Sequence, residues 1–191
     1  MKTRESGMPP EEMWNDFFDA QAILKKLGLT SECGVVVEFG SGYGTFTIPA
    51  AQTVRGTVFA LDIDPEMVMA TKTKANALGL RNVEAIERDF VAQGTGLPDS
   101  SVDYAMLFNI LHAEERDVLL HEAKRVLTED GMLAVIHWDF DSSTPRGPRM
   151  EIRPRPEQCR TWVEQADFEV VQPGLVELPP YHYGFAFKQT R

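Results

Sequence analysis

Cysteine is scarce in this 191-residue chain: Cys33 and Cys159 stand far apart, without the paired spacing of a zinc site or a disulfide framework. That shortage points to a reducing compartment, and the expected location is cytoplasmic. No stretch approaches the roughly 18 uninterrupted apolar residues of a membrane span. Met1 to Pro10 likewise holds no apolar core of a secretory signal. Basic residues are few, 19 against 29 acidic, and the net charge of -10 opposes loose binding to nucleic acid or anionic membrane. Internal repeats and homopolymer runs are missing too. What remains is ordinary globular composition, 43% apolar and 25% charged, in a length that suits one domain over residues 1–191.

From about Val35 onward, apolar runs and helical patterns alternate, which predicts an α/β sandwich around a mostly parallel sheet. The strands expected are Val35 to Phe39, Val58 to Leu61, Val83 to Ile86, Val102 to Phe108, Met132 to His137, Phe168 to Val171 and Gly184 to Phe187. Ahead of them, Trp14, Phe17, Phe18, Ile23, Leu24 and Leu27 recur at intervals near three and four, predicting one amphipathic helix over Glu11 to Leu27, ended by Gly28. Asp64 should cap a helix that carries Pro65 and Glu66 in its first turn and stops at Gly79. Further helices are expected through about Val54, over Glu114 to Leu127 and over Glu157 to Ala166. Asp139 to Pro156, rich in proline and arginine, reads as a long surface loop.

The first strand runs into Gly40-Ser41-Gly42-Tyr43-Gly44. Glycines there let the backbone approach a ligand, while amides at a following helix start attract negative groups. Asp62, 22 positions after Gly40, ends the second strand, where a carboxylate accepts hydrogen bonds from both hydroxyls of a ribose. Asp89 ends the third strand in the same way and either suits an adenine amino group, with Phe90 or Ile63 against the ring face, or is a solvated loop carboxylate. The dinucleotide pattern needs one more glycine where this chain has Thr45.

Together, Val36-Val37-Glu38-Phe39-Gly40-Ser41-Gly42-Tyr43-Gly44, Leu61-Asp62 and Arg88-Asp89-Phe90 resemble the class I S-adenosylmethionine-dependent methyltransferases. So do the stretches Val102 to His112 and Arg125 to Leu133. The resemblance implies a Rossmann-like three-layer sandwich whose seven-stranded sheet has six parallel strands and an antiparallel last one. It also implies S-adenosylmethionine as cofactor, with Gly40, Ser41, Gly42 and Gly44 around the methionine part, Asp62 at the ribose, Asp89 at the adenine and Asn109 nearest the methyl. Glu38, Tyr43, Ile63 and Phe90 complete that set, Tyr43 being bulkier than the residues often found in such a turn.

Methyl transfer to a hydroxyl or amine releases a proton, for which His112 and His137 are the candidate bases; each also suits a packing role. His121 falls on an exposed helix face, and His182 lies in a turn-like segment. Arg146, Arg149, Arg153, Arg155 and Arg160 either select an anionic acceptor or form a solvated loop. Trp14, Phe17 and Phe18 either cover the cofactor as a lid or fill the core. After Phe108 come Asn109 and His112 rather than paired acids, so no metal is expected. The reading is a methyltransferase for a small-molecule acceptor, monomeric or homodimeric, with no nucleic-acid or membrane partner. Its alternatives are a silent cofactor-binding regulator or scaffold and a nicotinamide-dependent oxidoreductase.

Overall fold

Three β-branched residues open Val35–Phe39 (β1), and four of its five positions are buried, as expected of a central strand covered on both faces. In the computed structural model, which describes residues 10–190, β1 lies between Thr57–Asp62 (β2) and Val102–Phe108 (β4), both parallel to it. Val83–Glu87 (β3) flanks β2, and Leu127–Trp138 (β5) flanks β4. Residues 1–9, where no signal sequence was expected, lie outside the described residues.

Beyond β5 the sheet continues through the antiparallel His182–Gln189 (β8) to Phe168–Val170 (β6), giving the order β3-β2-β1-β4-β5-β8-β6. A short strand that the sequence pattern did not mark, Val176–Leu178 (β7), also pairs with β8 and makes the sheet eight-stranded. β5 starts earlier than expected because Leu127 already pairs with Val102, before a register shift bulges the chain and Tyr104 takes Met132 as partner.

Helices cover both faces. On one, Leu119, Leu120 and Ala123 of Arg116–Val126 (α6) and Val163 of Pro156–Gln165 (α7) pack on Val37, Phe39, Leu107 and Val135. On the other, Ile23 and Leu24 of Ala20–Lys26 (α2) and Ala50 and Ala51 of Thr47–Thr53 (α3) meet Val36, Val58, Met106 and Ile136. Tyr104 is fully buried there and donates its hydroxyl to the Leu27 carbonyl at 3.0 Å, satisfying the polar end of an otherwise apolar ring. Cutting Leu120 to Ala would cost about 2–5 kcal/mol.

Pro65–Ala77 (α4) starts at Asp64, which accepts from the Glu66 amide at 3.0 Å, and stops before Gly79 at φ +68°. The single N-terminal helix is a miss. Glu11–Asn15 (α1) ends early, and α2 starts afresh at Asp19, whose side chain accepts from the Ala22 amide at 3.1 Å. Asp19 supplies a cap inside the apolar pattern, and the break turns Trp14, Phe17 and Phe18 towards the carboxyl ends of β4 and β5, where Trp138 and Phe46 receive them. A one-turn helix, Phe90–Gln93 (α5), follows β3.

Candidate active site

Strand order reverses between β2-β1 and β1-β4, the place where open α/β sheets leave a crevice beyond the strand ends. A cavity of about 460 Å³ occupies it, within the range of small-molecule sites. The glycine turn forms one wall. Gly42 holds φ +51° and Gly44 φ +76°, the left-handed region that disfavours side chains. A Cβ on Gly44 would stand 3.0 Å from Thr71 Oγ1.

Asp62 builds this turn as well as facing the cavity. Its Oδ2 accepts from the Gly42 amide at 2.8 Å and its Oδ1 from the Asp64 amide at 2.9 Å. Burial raises its pKa, while those two amides pull it down and the Asp64 charge raises it again. Glu38 lies deeper. Burial lifts its pKa to about 8, against the opposing hydrogen bond from the Thr47 hydroxyl and with help from the Asp62 charge. A cation arriving beside this carboxyl would favour its charged form and bring that pKa back down.

At the end of β4, Asn109 takes φ +56° while its amide donates to the Ile136 carbonyl at 2.8 Å. That conformation is uncommon for a residue with a side chain and gathers at functional sites. Both polar atoms of the Asn109 side chain, and Ser41 Oγ, are buried with no hydrogen-bond partner among the described residues. A ligand in the cavity they line would supply partners.

The structure brings most of the expected positions to this one space: Glu38, Gly40, Ser41, Gly42, Tyr43, Asp62, Ile63, Phe90, Asn109 and His112 all line it. Three do not. Gly44 packs behind the turn against Thr71. Asp89 caps α5, accepting from the Ala92 amide at 3.0 Å. His137 is wholly buried behind the wall, its ring 5.4 Å from that of His112. Burial, the His112 and His182 imidazoles and the Arg153 guanidinium hold His137 well below the ordinary histidine range, offset in part by the Trp138 backbone. His182 is buried between Phe18 and Trp138, with ring centroids 4.4 and 4.2 Å away; burial pushes it down to about 3, and Arg153 adds to the shift. His121 is exposed on α6.

The arginine loop is largely exposed but is organised around one buried arginine. Arg153 is 7% exposed. It donates to the carbonyls of Asp139, Asp141, Arg146 and Pro148 at 2.9–3.1 Å and to Thr144 Oγ1 at 2.6 Å, tying the loop to itself. Arg155 lies 3.8 Å over the Phe140 ring, and Arg160 pairs with Glu164 at 2.7 Å. Arg149 is exposed. Arg146 alone of the five lines the cavity, beside Gly147 and Pro148.

Sequence reasoning missed the aromatic lining. Phe108 and Trp138 close β4 and β5 at the cavity, and Phe46 stands beside them. The signal was their position as the last residues of adjacent parallel strands. Trp14, weighed earlier as lid or core, also lines the cavity. Its helix is fastened to the glycine turn: Lys74 pairs with Glu11 and donates to the Tyr43 carbonyl at 2.6 Å, and Thr45 donates to Asn15 at 2.9 Å.

A turn that brings backbone to the cavity at Gly40 and Gly42, Ser41 and Asn109 side-chain atoms without partners among the described residues, and two carboxyls suit a polar nucleoside with a cationic tail. Residues 36–131 match the family described as methyltransferase domain. The chain belongs to that methyltransferase family. Its cofactor is S-adenosylmethionine, which displaces the nicotinamide alternative. Among proteins similar to this methyltransferase domain is aklanonic acid methyltransferase DauC of Streptomyces sp. (strain C5), 27% identical over 153 residues, 69% of each chain. A solved S-adenosylmethionine-dependent methyltransferase from Aquifex aeolicus is 29% identical with a TM-score of 0.82, covering 95% of this chain and 94% of its own. A putative type 11 methyltransferase structure from Sulfolobus solfataricus shares the fold at 22% identity and TM-score 0.69, covering 92% and 94%. Among the described residues no helix is long and apolar enough to cross a membrane, and no group of three His, Cys, Asp or Glu side chains is placed to hold a metal.

Proposed function

We propose that this domain methylates a small-molecule acceptor bearing a protic group, with Glu38, Ser41, Gly42, Asp62 and Ile63 holding the cofactor, Asn109 standing nearest the methyl where cofactor and acceptor meet, and His112 taking the acceptor's proton. The observation that carries the reading is continuity: the glycine turn and His112 line one cavity. S-adenosylmethionine supplies an electrophilic methyl on a sulfonium. The protein then has mainly to align the acceptor and exclude water.

In this reading the fixed turn and Asp62 seat the nucleoside, and Glu38 gives up its proton as a cationic amino group arrives. His112 stands on the wall between β4 and α6 and is the base within reach of an acceptor. His137 cannot touch an acceptor from its buried place; it packs behind His112 as a neutral positioning residue. Asp89 serves the adenine end only indirectly, by fixing α5 and with it Phe90 at the cavity wall. Arg146 at the rim favours an acceptor carrying an anionic group, in keeping with a relative named for an acid, DauC.

Incubation with S-adenosylmethionine labelled on its methyl, against a metabolite library, tests the reading. Label transferred to a small organic product supports it. Tight cofactor binding with no transfer to any acceptor would favour a silent binder instead.

A further inference from the structure

The half of the cavity beneath the ends of β4 and β5 has a lining unlike the half around the glycine turn. Four rings face it: Trp14, Phe46, Phe108 and Trp138. They belong to one chain of ring contacts, edge-to-face from Phe108 to Phe46 at 4.7 Å and from Phe46 through Phe18 at 5.0 Å to Trp14 at 5.1 Å, then tilted from Trp14 to Trp138 at 6.3 Å. Phe17 at 5.4 Å and His182 at 4.2 Å hold Trp138 from behind. The wall is therefore shaped before any ligand arrives, and little side-chain freedom is lost on binding.

Two groups able to serve a polar substituent follow directly on the end of β4. Asn109, fixed in a left-handed backbone, has both side-chain polar atoms buried with no partner among the described residues, and His112 lines the cavity three positions further on. The carboxyls Glu38, Asp62, Asp64 and Glu66 belong to β1, β2 and the start of α4, on the glycine-turn side of the cavity, and Glu115 and Arg146 also line it.

We propose that this half of the cavity binds an aromatic hydroxy compound, its ring against Trp14, Phe46, Phe108 and Trp138 and its hydroxyl between Asn109 and His112. The proposal rests on the methyl-transfer reading above and names its acceptor class. A ring against such a wall gains edge and face contacts beyond the area it buries, which a saturated ring of the same size does not. A hydroxyl both accepts and donates, so it accepts from Asn109 Nδ2 while presenting its proton to the imidazole. In the reaction the hydroxyl oxygen forms its bond to the methyl carbon as the cofactor's C–S bond breaks. The bonding pair stays on sulfur, leaving a neutral thioether, and the hydroxyl proton passes to His112.

The test uses the whole protein saturated with S-adenosylhomocysteine, titrated by calorimetry with one-, two- and three-ring hydroxyaromatics, each paired with its ring-saturated alcohol. At least one hydroxyaromatic should bind about tenfold tighter than its saturated partner and quench tryptophan fluorescence. Trp14→Ala should erase that preference while S-adenosylhomocysteine affinity stays within about twofold. Phe108→Leu, which keeps an apolar side chain at the strand end, serves as the second variant and should reduce the preference in the same direction. Equal affinity within every pair, or a preference untouched in both variants, overturns the aromatic acceptor while leaving the cofactor reading intact. Failure of S-adenosylhomocysteine itself to bind the wild-type protein would overturn the cofactor reading, and this proposal with it.

Discussion

Asp62 and Gly42 are joined by a 2.8 Å hydrogen bond from the glycine amide to the carboxylate, across 20 residues of chain. The acid that ends β2 therefore holds the turn that follows β1, and one side chain links the shape of the cofactor wall to its polarity.

Replacing Asp62 by Ala should weaken S-adenosylmethionine binding by about 1.5–3 kcal/mol, the range for hydrogen bonds involving a charged group. It should also lower the melting temperature of the free protein, because two backbone amides lose their acceptor. Calorimetric titration and a thermal melt, run side by side, separate the two effects. Unchanged affinity would remove Asp62 from the cofactor site.

Glu38 makes stability depend on pH in a definite direction. Its folded pKa, about 8, lies above its ordinary 4.5, with burial the main cause. Between those values the native state holds a proton that the unfolded chain has released, so this group's contribution to stability falls as pH rises through that window. Glu38→Gln, which keeps the shape of the protonated form, should flatten that fall between pH 5 and 8, as read from urea midpoints at fixed slope. Cofactor affinity of the wild type should rise over the same interval if an ammonium group meets Glu38.

His112→Ala should cut the turnover number by about 10²–10⁴-fold, the usual worth of a positioned base, with cofactor affinity little changed. Steady-state kinetics on an acceptor found by the labelling screen would read the first, and calorimetry the second. His137→Phe should have a smaller effect on turnover, since His137 lies behind the cavity wall and has no path to an acceptor.

Arg153→Ala should loosen residues 139–152, because one guanidinium fastens the carbonyls of Asp139, Asp141, Arg146 and Pro148. Removing that set should cost at least about 2 kcal/mol. Amide hydrogen exchange should accelerate in the loop and not in β1 or β2. The acceptor KM should rise while cofactor affinity holds, because Arg146, Gly147 and Pro148 line the cavity and the glycine turn does not depend on the loop.

Local chemistry made much of this legible in advance. Val35–Phe39 and Val102–Phe108 are apolar runs bounded by breakers, and both strands fall where the pattern put them. Asp64 and Gly79 mark their helix ends because capping is a contact between near neighbours. What escaped depends on partners distant in sequence. The three-residue β7 exists because β8 offers it a ladder, and the bulge in β5 because Val102 lies opposite Leu127. Arg153 counted as one member of a basic cluster until the loop wrapped around it. In the site, the glycine turn, Asp62 and Asn109 were recognisable from spacing and resemblance. The aromatic lining was not, because Trp14, Phe46, Phe108 and Trp138 converge from four separate elements.

A crystal structure with S-adenosylhomocysteine tests the central claim most directly. The account predicts the adenosyl group in the cavity at the ends of β1 and β2, the ribose hydroxyls on Asp62 and the amino acid tail against the Gly40–Gly44 turn near Glu38. Finding that cavity empty at saturating ligand, or the compound seated elsewhere, would contradict it.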